Sequence, residues 1–388
     1  MCLLLRDNVI ISRKYYKETH MEQLSQIWHR IQEVLFPVLQ ERLDPLTEKQ
    51  RQLIEILEVV RIEDYVRVKL SKMGRPESDR RALARAFVCK AVYNMGSTEE
   101  LIDRLHSDKN LRRICGFERA NLIPDESTFS RAFDEFAQTQ LPTLVHAKLI
   151  EKYCSERLVG HIARDSTEII AREKPVSQCG EFKKVSNDPQ AEKKRGRPKK
   201  GQVVAPKSET LLEKQMHMSP KELLESIPTL CNRGSKKNSK GFIESWNGYK
   251  LHIDTADGGI PISCLISSAS VHDSQVALPL ASLTAQRVVS LYDLMDAAYD
   301  AEVIKKHSLM LGHVPIIDHN PRGGEKRQMD EATAQRYKIR TGAERVNARL
   351  KDEFCGRMIR VRGPKKVMAH LMFGILVLTA DQLLRLVV

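Results

Sequence analysis

Apolar residues recur at helical spacing through the first 160 positions, as in Leu24, Ile27, Trp28, Ile31, Val34 and Leu35, and again in Leu83, Phe87, Val88 and Val92. Strand-like alternation is missing there, so 20–160 is expected to be helical. Gly74-Arg75-Pro76, Gly96-Ser97-Thr98 and Pro124-Asp125 punctuate it. Within it, 111–136 is rich in arginine and contains Ser127-Thr128-Phe129-Ser130-Arg131, with Asp125 or Ser127 placed to cap a helix. A short helix, a glycine turn and a capped helix opening on Ser, Thr and Arg suit a helix-turn-helix reader of DNA. An amphipathic helix pair with a solvated basic face is the plainer alternative.

The texture changes after residue 157. Runs at 158–163, 248–253, 260–266, 288–295 and 313–317 read as five strands, and Asp257-Gly258-Gly259 is a hairpin turn between the second and third. Helices are expected from Asp273 or Ser274, over about 301–311, around 329–356 and at 366–386. This order predicts an α/β fold with a mixed five-stranded sheet flanked by helices. An all-α N-terminal domain (1–156), for DNA binding or dimerisation, would precede a catalytic domain (157–388).

Composition narrows the partner. The chain has 388 residues, 41% hydrophobic and 29% charged, an ordinary globular balance for two or three domains. Lys plus Arg number 63 against 50 acidic residues, a net +13 that favours a polyanion, either nucleic acid or an anionic membrane. The eight cysteines form no C-x-x-C pair, which excludes a disulfide scaffold and a zinc knuckle and points to reduced thiols in a cytoplasmic protein. Arg6 interrupts the N-terminal apolar run too early for a signal-peptide core. The longest apolar run, 371–380, is half the length that a bilayer requires. No membrane partner is expected, and nucleic acid gains ground.

The charge is unevenly spread. A segment at about 175–243 separates the first strand from the hairpin, and within 181–250 sixteen basic residues face eight acidic ones. Its densest part, 193–200, holds six positive charges in eight residues around Arg195-Gly196-Arg197-Pro198. That core resembles an AT-hook, in which Arg195 and Arg197 would enter the minor groove of A·T-rich DNA. A solvated basic linker is the other reading.

Two acidic residues stand where a carboxylate is costly: Asp165 and Asp296 each close an apolar run at the end of an expected inner strand. If those strands are neighbours, the two side chains converge. Asp296 could instead cap a turn, and Asp293 and Asp300 are nearby rivals. On the long helix, Tyr337, Arg340, Glu344 and Lys351 fall within a stripe about 60° wide, with Asn347 at its edge. Ile339, Ala343, Val346 and Leu350 lie opposite and are expected to face the core.

Tyr337-x2-Arg340-x3-Glu344-x6-Lys351 resembles the Y-R-E-K signature of the DDE transposases of bacterial insertion sequences, within the RNase H-like superfamily. Arg164-Asp165-Ser166-Thr167 is similar to the family's first-aspartate block. Asp296-Ala297-Ala298-Tyr299-Asp300 resembles the second, with Ala298 where glycine is usual. Gly248-Tyr249-Lys250-Leu251-His252, Ser270-Val271-His272-Asp273-Ser274 and Asn320-Pro321-Arg322 resemble further family segments, so the likeness covers about 157–362. It implies that Asp165, Asp296 and Glu344 hold two Mg²⁺ ions, with Mn²⁺ able to substitute. It also implies that Tyr337, Arg340 and Lys351 grip DNA phosphates. Lys250 and Arg322 are further DNA contacts or plain surface charges; His272 and Asp273 support the site or cap the next helix. The implied activity is cleavage at transposon ends and strand transfer into target DNA, with terminal inverted repeats as the partner and a homodimer on paired ends. A non-catalytic DNA-binding derivative and a nuclease that does not join strands are the alternatives.

Overall fold

The structure, a computed structural model, describes residues 45–67, 77–176, 209–237, 240–322 and 324–386. The apolar spacing at 24–35, the break at Gly74-Arg75-Pro76 and the basic run with Arg195 and Arg197 lie outside them.

Among the described residues, six helices form the N-terminal region: α1 (Glu48–Val60), α2 (Arg80–Val92), α3 (Thr98–Ser107), α4 (Lys109–Cys115), α5 (Glu126–Gln138) and α6 (Leu141–Cys154). Their starts follow from side chains that satisfy orphan amides. Thr47 and Gln50 cap α1 reciprocally, Ser97 accepts from Glu100 N–H, and Asp108 accepts from Leu111 N–H. The order short helix, Gly116 turn, helix is present in α4 and α5. Asp125 stands at the N-cap position of α5, but its side chain makes no capping bond. The Ser127 hydroxyl instead accepts from Arg131 at 3.4 Å. Neither residue caps as expected.

The sheet comprises β1 (Leu158–Ile170), β2 (Asn232–Lys237), β3 (Ile243–Ala256), β4 (Ile260–Ser268), β5 (Val289–Met295) and β6 (Val314–Ile317). β3 lies antiparallel to β1 and β4, and β1, β5 and β6 run parallel to one another. Gly258 and Gly259 (φ +80° and +77°) close the β3–β4 hairpin at the expected turn, a conformation that glycine adopts without strain.

Among the described residues the sheet has six strands, which corrects the expected count of five. The extra strand, β2, pairs with the first half of β3 and comes from the segment read as a basic insertion. That segment also holds α7 (Leu211–Gln215) and α8 (Pro220–Glu225). Leu212, Met216 and Leu223 pack there against Ala277 and Leu278 of α9 (Ser274–Ala285). A few apolar residues at helical spacing anchor a stretch whose charge conceals them.

α10 (Glu302–Met310) precedes β6. The helix expected around 329–356 runs as α11 (Glu331–Tyr337), a contiguous 3₁₀ turn (Lys338–Arg340) and α12 (Thr341–Glu353), with helical dihedrals through the junction. Thr341 and Gly342 are poor helix formers, and the Thr341 hydroxyl bonds back to the Lys338 carbonyl at 2.9 Å. Ala343, Val346 and Leu350 are buried as expected, but Ile339, in the 3₁₀ turn, is 37% exposed.

α13 (Pro364–Arg385) is the central core element, packing on α6, α2, α5, α1 and β4. It is long and apolar enough to cross a membrane, yet 83% of its most apolar window is buried within the fold. Its Phe373 joins Phe87 and Phe133 in an aromatic cluster with ring separations of 5.1–6.3 Å. One core therefore joins the helical region to the sheet.

Three buried histidines make this core acid-sensitive. Burial pushes His146 down to about 3, and His252 and His370 down to about 4. Unfolding lets each take up a proton near pH 6.5, so their contribution is complete above that pH and is lost as pH falls towards 4. His370 Nε2 lies 3.0 Å from the Cys355 carbonyl, which can only accept. His370→Gln keeps a donor there and should weaken the acid-induced fall in Tm between pH 7 and 5. An unchanged pH profile would remove His370 from this account.

Candidate active site

The site grows from strand register. β1 pairs with β5 in parallel, with Ala163 opposite Leu294, and two further residues bring Asp165 level with Asp296. β5 pairs with β6 in the same way, Met295 opposite Ile317, so Asp318 follows on the same row. Asp296 and Asp318 thus stand just past the carboxyl ends of β5 and β6, where open α/β sheets place their ligands, and Asp165 stands level with them inside β1, which runs on to Ile170 and does not end at 163 as expected.

The first two aspartates are held firmly. Behind Asp165, Arg164 makes two bonds of 2.8 Å to Asp254, its partner across β3, and both side chains are buried. The Asp296 carboxylate accepts the Ala298 N–H at 2.9 Å and opens a 3₁₀ turn, Ala297–Tyr299. Ala298 has no positive φ, so alanine closes this turn where glycine is usual. Asp296 is therefore both a turn cap and a neighbour of Asp165. Its rivals are engaged elsewhere: Asp293 is buried with Ser308 and His313, and Asp300 binds Lys305.

α12 covers this row. Ala343 packs against Ala163, Leu294 and Ile316, and one turn later Asn347 Nδ2 donates to Asp165 Oδ2 at 2.9 Å. Arg340 lies between two carboxylates, 3.6 Å from Asp165 Oδ1 and 2.5 Å from Glu344 Oε1. Its guanidinium also approaches the Tyr337 ring, 5.7 Å from the centroid. Glu344 itself is 54% exposed and reaches the aspartates only through Arg340.

The electrostatics reflect crowded negative charge. Burial pushes Asp165 up to about 6, with Arg340 opposing and the Asp296 charge adding to the rise. Burial also raises Asp296, against the Ala298 amide and Arg340, and Asp273 and Asp318 add to it. Both carboxylates are short of positive charge, the condition that a bound cation relieves. Their all-oxygen donors suit a hard divalent ion such as Mg²⁺. Among the described residues, no group of three or more His, Cys, Asp or Glu side chains is gathered as a metal cage. Arg340 fills the gap between Asp165 and Glu344.

The remaining basic candidates are paired. Lys351 Nζ lies 2.7 Å from Glu168, and Lys250 Nζ lies 2.9 Å from both Asp273 and the Val271 carbonyl. Arg322, at φ +44°, donates to the Asp300 carbonyl at 2.8 Å. Burial would raise Asp273, but His252 and Lys250 outweigh it and hold the acid low. Asp273 makes no capping bond to α9; His272 Nδ1 sits 2.8 Å from Ser274 Oγ instead. Sequence reading placed Asn347 only at the edge of the polar stripe and gave no role to Asp318 or Glu168. Parallel register is the signal that finds Asp318.

The molecule is an open mixed α/β sheet with a row of aspartates across its parallel strands. The Transposase domain (DUF772) model matches residues 38–135, and the Transposase DDE domain model matches residues 224–380. No curated protein matches the chain. The chain belongs to the insertion-sequence DDE transposases, enzymes that act on DNA, and the DDE domain implies an RNase H-like fold. Asp296 and Glu344 lie inside the DDE match; Asp165 lies upstream of it, so its place at the site rests on the strand register.

Proposed function

We propose that this transposase cleaves DNA at transposon ends and joins the freed ends to target DNA, using Asp165, Asp296 and Glu344. The observation that carries the reading is the pair of half-buried aspartates level with each other on adjacent parallel strands, both raised by desolvation and by neighbouring negative charge. Asp165 and Asp296 would hold divalent cations, with Glu344 joining them once Arg340 no longer binds it. Two Mg²⁺ ions, when bound, supply an activated attacking oxygen and stabilise the leaving oxygen.

The chain's own residues do the positioning. Asn347 fixes the rotamer of Asp165, and the Ala298 amide fixes that of Asp296. Arg340 lies where it can pass from carboxylate to phosphate, and its planar fork suits either anion. Tyr337 and Lys351 would hold the same strand, with Arg322 and Lys250 further out. The 193–200 run and α5 would contact flanking DNA, the run through phosphates and minor groove, α5 through its exposed Ser127, Ser130 and Arg131. Pairing two ends calls for two copies of the chain.

The test is a strand-transfer assay in Mg²⁺, using a pre-nicked transposon-end duplex and a supercoiled target plasmid. Joined products are expected. Cleavage without joining would reduce the protein to a nuclease, and binding without either would make it a DNA-binding derivative.

A further inference from the structure

The β2–β3 ribbon is unlike the rest of the sheet. Its cross-strand pairs Arg233–Asn247, Ser235–Ser245, Lys236–Glu244 and Lys237–Ile243 are mostly polar, and the outer ones are exposed. Phe242 and Ile243, close to its tip, are 68% and 71% exposed. Across 232–248 four basic residues, Arg233, Lys236, Lys237 and Lys240, face one acidic residue, Glu244. A two-stranded ribbon without a covered face has little stability of its own. Here its root is fixed, with Trp246 Nε1 donating to the Tyr249 carbonyl at 3.2 Å and Arg233 to Ser245 Oγ at 2.9 Å.

One contact ties the ribbon to the site. Lys236 Nζ, from β2, and Lys351 Nζ, from α12, bind the two oxygens of Glu168 at 2.8 and 2.7 Å. Two lysines from separate elements converging on one anion is the geometry of a phosphate-binding position. Lysines also guard exposed strand edges against unwanted pairing. That role does not require a second lysine from α12 on the same carboxylate.

We propose that the β2–β3 ribbon is an arm that binds duplex DNA, and that Lys236 and Lys351 form one phosphate subsite whose resting occupant is the Glu168 carboxylate. The major groove admits a two-stranded ribbon, and basic and small hydroxyl side chains suit its phosphate walls. The arm would lead the duplex from the ribbon to the row of aspartates. This inference rests on the DNA-processing reading above.

The experiment uses the full chain and a fluorescein-labelled duplex of mixed sequence, with Kd measured across a range of NaCl concentrations. In Lys236→Ala/Lys237→Ala, binding weakens and the slope of log K against log salt falls by about 0.9 for each phosphate that is no longer neutralised. Glu168→Gln removes the competing carboxylate and tightens binding several-fold, which a merely structural Glu168 would not do. Lys236→Arg, which keeps the charge, restores the slope. An unchanged slope in the double variant, with Tm and wild-type binding intact, would overturn the arm. Equal weakening by Glu168→Gln would overturn the subsite, and equal competition by single strands or RNA would overturn the duplex. Absence of wild-type binding would instead defeat the DNA-processing reading itself.

Discussion

Asp165→Asn should reduce Mg²⁺-dependent cleavage of a transposon-end duplex by at least about a thousand-fold, roughly 4 kcal/mol of transition-state stabilisation. The substitution keeps the side-chain shape and an oxygen that accepts from Asn347, so the fold and DNA binding should persist. What it removes is a charge that only a cation makes useful. The same variant should be more stable than the wild type at neutral pH. Asp165 is raised from 3.8 to about 6, chiefly by burial. The folded state therefore holds this proton more tightly than the unfolded chain, and stability is lost as pH rises through about 6. The advantage of the variant, at most about 3 kcal/mol, should be largest above pH 6 and vanish below about 4. Cleavage rates and Tm measured across that range test both halves. Cleavage within tenfold of wild type, or a lower Tm for the variant above pH 6, would return Asp165 to a structural role.

Activity gained at a cost in stability fits how the site reads from sequence. Asp165 and Asp296 were legible because each closes an apolar run, and their convergence needed only that β1 and β5 be neighbours. Ala343, Val346 and Leu350 were legible from helical spacing, and the hairpin from two adjacent glycines. The relations across the fold were not. Asn347 looks marginal on a helical wheel, yet the packing of α12 over the sheet brings it to Asp165. Arg340 reads as a phosphate ligand, and nothing local shows that two carboxylates share it. β2 was hidden because a polar, lysine-rich ribbon lacks the alternation that marks a half-buried strand. Ile339 misled for another reason: it sits in a 3₁₀ turn, whose tighter winding departs from the 100° step of a helical wheel.

Arg164 shows the same limit and carries the largest expected effect on stability. In sequence it is one basic residue beside the first aspartate; in the fold it is buried, as is its partner Asp254. Burial works against both charges, and Asp254 and Asp293 outweigh it to keep the guanidinium charged. Thr284 completes the cluster by donating to Asp254 Oδ2 at 2.7 Å. Arg164→Met should therefore cost about 3–5 kcal/mol, because it leaves a buried carboxylate without its cation. Arg164→Met/Asp254→Leu removes both charges and should recover most of that loss. Urea denaturation of the two single variants and the double provides the cycle. Near-additive losses would mean that each residue acts through packing alone. A recovered double variant would show that the pair can be exchanged for apolar packing without losing the fold. Cleavage by that variant then separates two roles. If the ion pair only supports the strand, activity returns with stability; if it fixes the position of Asp165 relative to Asp296, the double variant folds but cleaves poorly.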